Sequence, residues 1–146
     1  MNVSSKSRYA LTALVELDLR TRGDKRPVRL TDLARGRGIP EQFLEQVFAV
    51  LRRAGVLRSQ RGVGGGFAFA RSPDQVTVLE VVEALDGAPA IASCTSSDCE
   101  REDSCGPGVV WRAAAEAFES VLSRTTISEL TERERQLRSG APMYEI

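Results

Sequence analysis

The segment from residue 39 to residue 71 most constrains the fold, because a helical pattern is followed at once by a glycine-tipped hairpin. Five apolar residues recur along one face at helical spacing: Phe43, Leu44, Val47, Phe48 and Leu51. Gly55 predicts the end of this helix. The alternation in residues 67–69 is typical of a half-buried strand. A helix, a tight stop and a basic hairpin predict a winged helix-turn-helix, mainly α with a small β-hairpin.

The polar face of this helix and the hairpin supply candidate contacts to double-stranded DNA. They are Gln42, Glu45, Gln46, Arg52, Arg53, Arg58 and Arg61. Amide and carboxylate groups suit base edges, while arginine suits phosphates and a narrow minor groove. The glycines could also suggest a nucleotide loop. However, Phe67 stands where a dinucleotide fingerprint needs glycine, and the Gly-Lys-Ser/Thr of a P-loop is absent. The glycine tip therefore predicts a DNA-binding wing.

The segments before residue 39 complete the helix-turn-helix. Ser4 or Ser5 is the predicted cap of a first helix ending near Gly23, and residues 28–30 are long enough for a short strand. Thr31 or Asp32 is the predicted cap of the next helix, which residues 36–40 break with glycine and proline. Two short helices joined at a glycine bend are typical of a helix-turn-helix, whose second helix lies in the major groove.

Charge divides the 146 residues into two unlike halves. Residues 1–75 carry 14 Lys and Arg against 7 Asp and Glu, whereas residues 76–146 carry 6 against 13. This asymmetry suits either a polyanion partner or a charge match within or between subunits; the helix and hairpin favour nucleic acid. No apolar run approaches the roughly 20 residues of a membrane span, and the first residues lack a signal-peptide pattern. We therefore expect a cytoplasmic protein without a membrane partner.

The C-terminal half predicts helices that flank a cysteine segment. Residues 77–80 and 126–129 are capping boxes. A longer helix from Pro107 carries an alanine-rich apolar stripe: Val109, Val110, Ala113, Ala114, Ala117, Phe118, Val121 and Leu122. The stripe is broader than a small winged helix covers, which predicts a homodimer on a roughly palindromic operator; the alternative is a helix that folds back on its own domain. The expected divisions are 1–86 for DNA binding, 87–106 for a cysteine loop and 107–146 for a dimerisation helix and tail.

Three cysteines, Cys94, Cys99 and Cys105, fall within twelve residues. In a reducing compartment such a cluster is more typical of metal or redox chemistry than of a disulfide framework. The chain has no histidine, so zinc would need three thiolates and a carboxylate. Spacing alone leaves an iron–sulfur cluster, zinc and a thiol switch open.

Four motifs together resemble one known family. They are residues 7–11 (SRYAL), residues 43–46 (FLEQ), the wing residues 61–67 (RGVGGGF), and three cysteines ahead of a helix bearing Trp111. From Ser5 to about Leu130 the chain resembles the IscR/NsrR group of winged-helix, iron–sulfur-sensing bacterial transcription regulators. The resemblance implies a homodimer, not an enzyme, whose cluster changes DNA binding, with [2Fe-2S] favoured over [4Fe-4S]. It assigns DNA reading to Gln42, Glu45, Gln46 and Arg61 and cluster ligation to Cys94, Cys99 and Cys105.

The chain departs from this pattern at the fourth ligand. Gly108 stands where IscR-like proteins have a histidine, and Arg8 stands where NsrR-like members have a carboxylate. Acidic candidates lie in the loop itself: Asp98, Glu100, Glu102 and Asp103. A cluster-free regulator switched by a disulfide is the alternative within the same class. A small redox or cluster-carrier protein is the alternative outside it, and salt-dependent binding to duplex DNA would distinguish that protein from both regulators.

Overall fold

The computed structural model describes residues 3–22, 24–91 and 105–140. In this part of the chain the elements are α1 (Ser5–Thr21), α2 (Leu30–Arg37), α3 (Glu41–Arg53), β1 (Leu57–Gln60), β2 (Gly66–Phe69), α4 (Val78–Asp86), α5 (Gly106–Arg124) and α6 (Ile127–Arg138). The two strands form one antiparallel hairpin. The predicted winged-helix fold, mainly α with one small hairpin, is confirmed. Among the described residues, no helix is both long enough and apolar enough to span a bilayer.

Helix α1 begins where a serine side chain can cap it. The Ser4 hydroxyl accepts a hydrogen bond from the Ser7 backbone N–H at 3.2 Å, which satisfies one of the donors left free at a helix start. Asp86, at the end of α4, accepts hydrogen bonds from the hydroxyls of Ser4 and Ser7. Burial raises the pKa of Asp86, but these hydrogen bonds outweigh it and hold the pKa below its usual value. The start of α1 is therefore fastened to the end of α4.

Both predicted capping boxes are present. Thr77 and Glu80 cap α4, and Thr126 and Glu129 cap α6, each through reciprocal side-chain and backbone hydrogen bonds. The two helix starts lie side by side. The Val78 N–H donates to the Thr125 carbonyl, and the Ile127 N–H donates to the Val76 carbonyl, both at 2.9 Å. The start of α6 is thus joined to the start of α4 at this point.

The start of α2 differs from the prediction. Arg29 occupies the cap position without a side-chain cap, and Thr31 and Asp32 lie inside the first turn, so the predicted cap is wrong. The predicted strand at residues 28–30 is reduced to one bridge between Val28 and Phe67. Because the pairing with Phe67 holds Val28 in an extended conformation, α2 begins at Leu30, two residues after Val28. The carboxylate of Asp32 in the first turn still opposes the positive end of the helix dipole.

The hydrophobic core centres on α1 and α3. Leu44, Val47, Phe48 and Leu51 of the predicted α3 stripe are buried. The fifth member, Phe43, is half-buried and meets Tyr9 edge-on, with ring centroids 5.5 Å apart. The face opposite this stripe is left to solvent.

A charge network fastens α6 to α1 and α2. Arg37 lies 2.7 Å from a Glu16 carboxylate oxygen and 2.8 Å from a Glu134 oxygen, and Arg20 pairs with Glu16 at 2.7 Å. Burial raises the pKa of Glu16, but the hydrogen bonds and charges of Arg20 and Arg37 together lower it below 4.5. The stability contributed by Glu16 is therefore present above pH about 4.5 and is lost as pH falls through its lowered folded-state pKa.

We expect Arg37→Ala to reduce the free energy of unfolding by roughly 2 kcal/mol, because it removes the partly buried cation that bridges the carboxylates of Glu16 and Glu134. Urea denaturation at neutral pH measures the change. The matched control is Arg35→Ala, an exposed position on the same helix, which should stay within about 0.5 kcal/mol of the parent. If both variants lost the same unfolding free energy, the charge network would not contribute to stability.

Candidate nucleic-acid interface and cysteine segment

The polar face of α3 is free of the core. Gln42, Glu45 and Gln46 are exposed over the first two turns of the helix, and Arg52 and Arg53 are exposed in its last turn. The core stripe is buried on the other side, so side chains long enough to reach base edges and phosphates project together into solvent. This is the arrangement that a recognition helix requires.

The wing, residues 57–69, follows α3 directly. Its strands pair from Leu57 with Phe69 to Gln60 with Gly66, which places exposed Arg58 opposite buried Ala68. The Arg52 guanidinium donates to the Ser59 hydroxyl at 3.1 Å. Sequence reasoning missed this link between helix and wing, since a serine in an exposed strand carries no signal by itself. Arg61 is exposed at the entrance to the tip.

Phe67 holds the wing in place on both sides. Its backbone N–H and carbonyl form two 2.8 Å hydrogen bonds with Val28, and its ring meets Phe48 of α3 edge-on at 5.1 Å. Gly66 makes the approach possible. It has a φ of +152°, and a Cβ at this position would lie 2.2 Å from the Val28 carbonyl oxygen. Only glycine fits between the wing and the segment before α2.

Two further cations lie beside the predicted DNA residues. Lys6 of α1 lines a cavity of about 350 Å³ together with Gln46 and Arg53. Arg29 lines another together with the wing-tip residues Gly64 and Gly65. Sequence reasoning missed both cations, because the fold brings them to the interface from distant segments. They extend the positive charge on this side of the protein.

The cysteine segment is described only at its end. Cys105 is a free, half-buried thiol at the cap position of α5, whereas the predicted ligands Cys94 and Cys99 lie outside the described residues, as do the four acidic candidates between 98 and 103. Within residues 3–22, 24–91 and 105–140, no group of three or more His, Cys, Asp or Glu residues could hold a metal ion. The ligand set therefore stays a prediction.

Gly108, which stands where IscR-like proteins have a histidine, lies beside the Cys105 thiol. A Cβ added at Gly108 would lie 3.6 Å from the Cys105 sulfur and 3.2 Å from a guanidinium nitrogen of Arg112. A side chain at residue 108 would thus adjoin the sulfur, but glycine offers no ligand atom. The predicted cluster would therefore need a fourth ligand from another residue.

Helix α5 leaves apolar side chains in solvent. Of its described residues only Gly108 is buried, while Val109, Val110 and Val121 are each more than half exposed and Trp111 is 44% exposed. Isolated exposed apolar residues are ordinary, but several on one helix form a patch of the kind found at interfaces.

The family model described as Rrf2, iron-dependent transcriptional regulator, matches residues 3–133. This chain belongs to the Rrf2 family.

Relatives and solved structures agree with the assignment. The Rrf2-family protein is 34% identical over 138 residues to the HTH-type transcriptional regulator IscR of Xenorhabdus nematophila, covering 94% of this chain and 83% of that protein. The structure of T. potens IscR has a TM-score of 0.76 at 27% identity, covering 100% of this chain and 94% of that one. CymR, described as the global cysteine regulator of B. subtilis, has a TM-score of 0.74 at 30% identity, covering 91% of this chain and 98% of that one.

The predicted class of function is confirmed: the protein is a DNA-binding transcriptional regulator and not an enzyme. The resemblance to the IscR group is confirmed as well. The individual DNA contacts and thiol ligands stay predictions, and so do the three divisions of the chain.

We expect Gly66→Ala to destabilise the fold by more than about 3 kcal/mol, since the new Cβ would overlap the Val28 carbonyl in addition to the cost of a positive φ. Gly64→Ala is the matched control: its φ is +77° but its Cβ would meet open space, so it should lose roughly 1–2 kcal/mol. Thermal or urea denaturation measures both. Equal losses would show that the close approach to Val28 contributes nothing.

Proposed function

We propose that this Rrf2-family protein is a homodimeric transcription regulator whose binding to duplex DNA is controlled by an iron–sulfur cluster on Cys94, Cys99 and Cys105. The observation that carries the proposal is the pairing of α3 and the wing with a cysteine segment that ends at α5. Helix α3 and the wing would meet DNA. The cysteine segment would join the metal site to α5, whose apolar face is exposed.

Geometry and charge support the DNA contacts. Gln42, Glu45 and Gln46 lie where a recognition helix meets base edges, and Arg58 and Arg61 lie on the wing. The hydrogen bond between Arg52 and Ser59 couples the two elements, so helix and wing meet DNA as one unit. Arginine on a wing suits phosphates or a narrow minor groove.

The residues present fit a thiolate-ligated cluster in part. Cys105 is a free thiol among the described residues, half-buried and at the N-terminal end of α5, where the helix dipole favours an anionic group. Such a cluster supplies an anionic centre whose presence or oxidation state can differ between two states of the protein. Gly108 provides no fourth ligand, so we propose that a carboxylate of the loop or a group from outside it completes the set. A [2Fe-2S] centre is the favoured type.

The exposed face of α5 supports the homodimer. Val109, Val110 and Val121 would be removed from water by a second copy of α5 packed against them, which is favourable for apolar surface. A twofold dimer presents two recognition helices and two wings, and therefore fits a roughly palindromic operator.

For the wing, we expect Arg61→Ala to weaken binding to every duplex sequence and to reduce the slope of log affinity against log salt by about one. Each phosphate that the protein neutralises releases about one counterion from DNA, so the loss of one such contact lowers the number released by about one. Fluorescence anisotropy across a salt series measures the slope. An unchanged slope and affinity would remove Arg61 from the interface.

Glu45→Ala on α3 provides the contrast in the same assay. Its salt slope should stay near that of the parent, while discrimination between operator and mismatched duplexes should fall by roughly 1–3 kcal/mol at one base position. A loss that is uniform across sequences would show that Glu45 does not read bases.

For the cofactor, protein purified anaerobically should be coloured and should contain iron and acid-labile sulfide. Cys94→Ala, Cys99→Ala and Cys105→Ala should each lose most of the colour, because each removes a ligand from a small set. Ser104→Ala, the neighbour of Cys105, is the control and should keep it. A colourless, zinc-containing protein would sink the cluster hypothesis. Single alanine variants of Asp98, Glu100, Glu102 and Asp103 should reveal at most one further ligand.

For the dimer, Val110→Glu should weaken self-association about tenfold or more, because it places a charge in an apolar interface. Sedimentation equilibrium measures the change. Leu137→Glu is the matched control, since Leu137 of α6 is 58% exposed and Val110 is 62% exposed. If Val110→Glu left the association constant unchanged, the α5 interface would be rejected.

A further inference from the structure

A further cavity lies at the base of the wing, away from α5. A cavity of about 280 Å³ opens between the end of α1 and the end of β2. Asp18 lines it from one side, and three cationic residues line it as well: Lys25, Arg58 and Arg71. The volume is just below the range typical of drug-sized ligands, so the cavity suits a small metabolite.

Asp18 is the unusual member of this site. It is 6% exposed, and its Oδ2 atom has no hydrogen-bond partner in the part of the chain that the structure describes. A buried carboxylate oxygen without a donor is costly, and a cationic donor satisfies it best. Because Asp18 itself lines the cavity, a cationic donor bound there would be within reach of its carboxylate.

The cationic residues around the cavity differ in whether they already form an ion pair. The Arg71 guanidinium is held by the Glu80 carboxylate at 2.8 Å and by the Gln75 carbonyl at 3.2 Å. Among the described residues, Lys25 and Arg58 form no ion pair. They are therefore free to receive a carboxylate. Phe69, Ala70 and Pro73 line the same cavity and give it an apolar wall.

We propose that this cavity binds a zwitterionic α-amino acid with a short, uncharged side chain. The ammonium group donates to the Asp18 carboxylate, the ligand carboxylate pairs with Lys25 and Arg58, and the side chain packs against the apolar wall. The ligand carries one ammonium group and one carboxylate, and these match the carboxylate and the cations of the site. A simple anion would instead be repelled by the Asp18 carboxylate.

Occupancy has a consequence for regulation that rests on the proposed DNA contact of Arg58. A ligand carboxylate held by Arg58 competes with the phosphate that this arginine would otherwise meet. The amino acid would then weaken DNA binding independently of the cysteine segment.

The test is direct binding to the full chain without DNA, so that its outcome does not depend on the proposed function. Thermal unfolding is followed with each of the twenty common L-amino acids, and any hit is titrated by calorimetry. We expect one or a few uncharged amino acids to raise the melting temperature. The matching decarboxylated amine and the N-acetylated amino acid, which each lack one charge, should bind at least about tenfold more weakly.

Variants assign the binding to this cavity. Asp18→Asn should lose the thermal shift, and the exposed Lys25→Ala, which does not disturb the core, should weaken binding several-fold. Asp24→Asn is the matched control: it removes an exposed carboxylate from the same loop, where it pairs with Arg26, and should bind like the parent. Overturning results would be the absence of any shift, equal binding by inorganic phosphate or the N-acetylated compound, or full binding in both Asp18→Asn and Lys25→Ala.

Discussion

The contacts of Phe67 with Val28 and Phe48 are the interaction on which the winged helix depends. One residue pairs its backbone with Val28 and packs its ring on Phe48, so the entrance to α2, the wing and the recognition helix share a single point of contact. Neither of the two short strands has a second sheet neighbour among the described residues, and an isolated hairpin is marginal in water. The wing therefore takes its rigidity from α3 and from the segment before α2, and the absence of a side chain at Gly66 lets that segment come close enough.

The remainder of the fold shares one hydrophobic core with this unit, through buried Val81 of α4 and Ile127 of α6, and polar links join the same elements as well. Ser4 and Ser7 fasten to Asp86, and Arg37 bridges Glu16 and Glu134. Such contacts have strict distances and directions, unlike apolar packing. They restrict how α4 is oriented relative to α1, and how α6 is oriented relative to α1 and α2.

Local signals in the sequence predicted much of the fold. The α3 stripe, the capping boxes at Thr77 and Thr126, and the hairpin all depend on residues close together in the chain. The start of α2 was predicted wrongly, because Val28 pairs with Phe67 some forty residues later and no local pattern shows it. At the site, the exposed residues of α3 followed from helical periodicity. Lys6, Arg29 and the Asp18 cavity did not, since each needs segments that only the fold brings together.

Helix α5 has the geometry of a lever. At about 1.5 Å per residue its 19 residues extend roughly 28 Å, and the hydrogen bonds through Thr125 and Ile127 hold the segment just beyond its C-terminal end. Cys105 lies at the opposite end. A tilt of about 5° around the anchored end would move the thiol by roughly 2.5 Å, comparable with the shifts of helices at allosteric interfaces. Conversely, a small change in geometry at Cys105, where the proposed cluster would bind, would reach the start of α4 and α6 as a rotation, with little displacement.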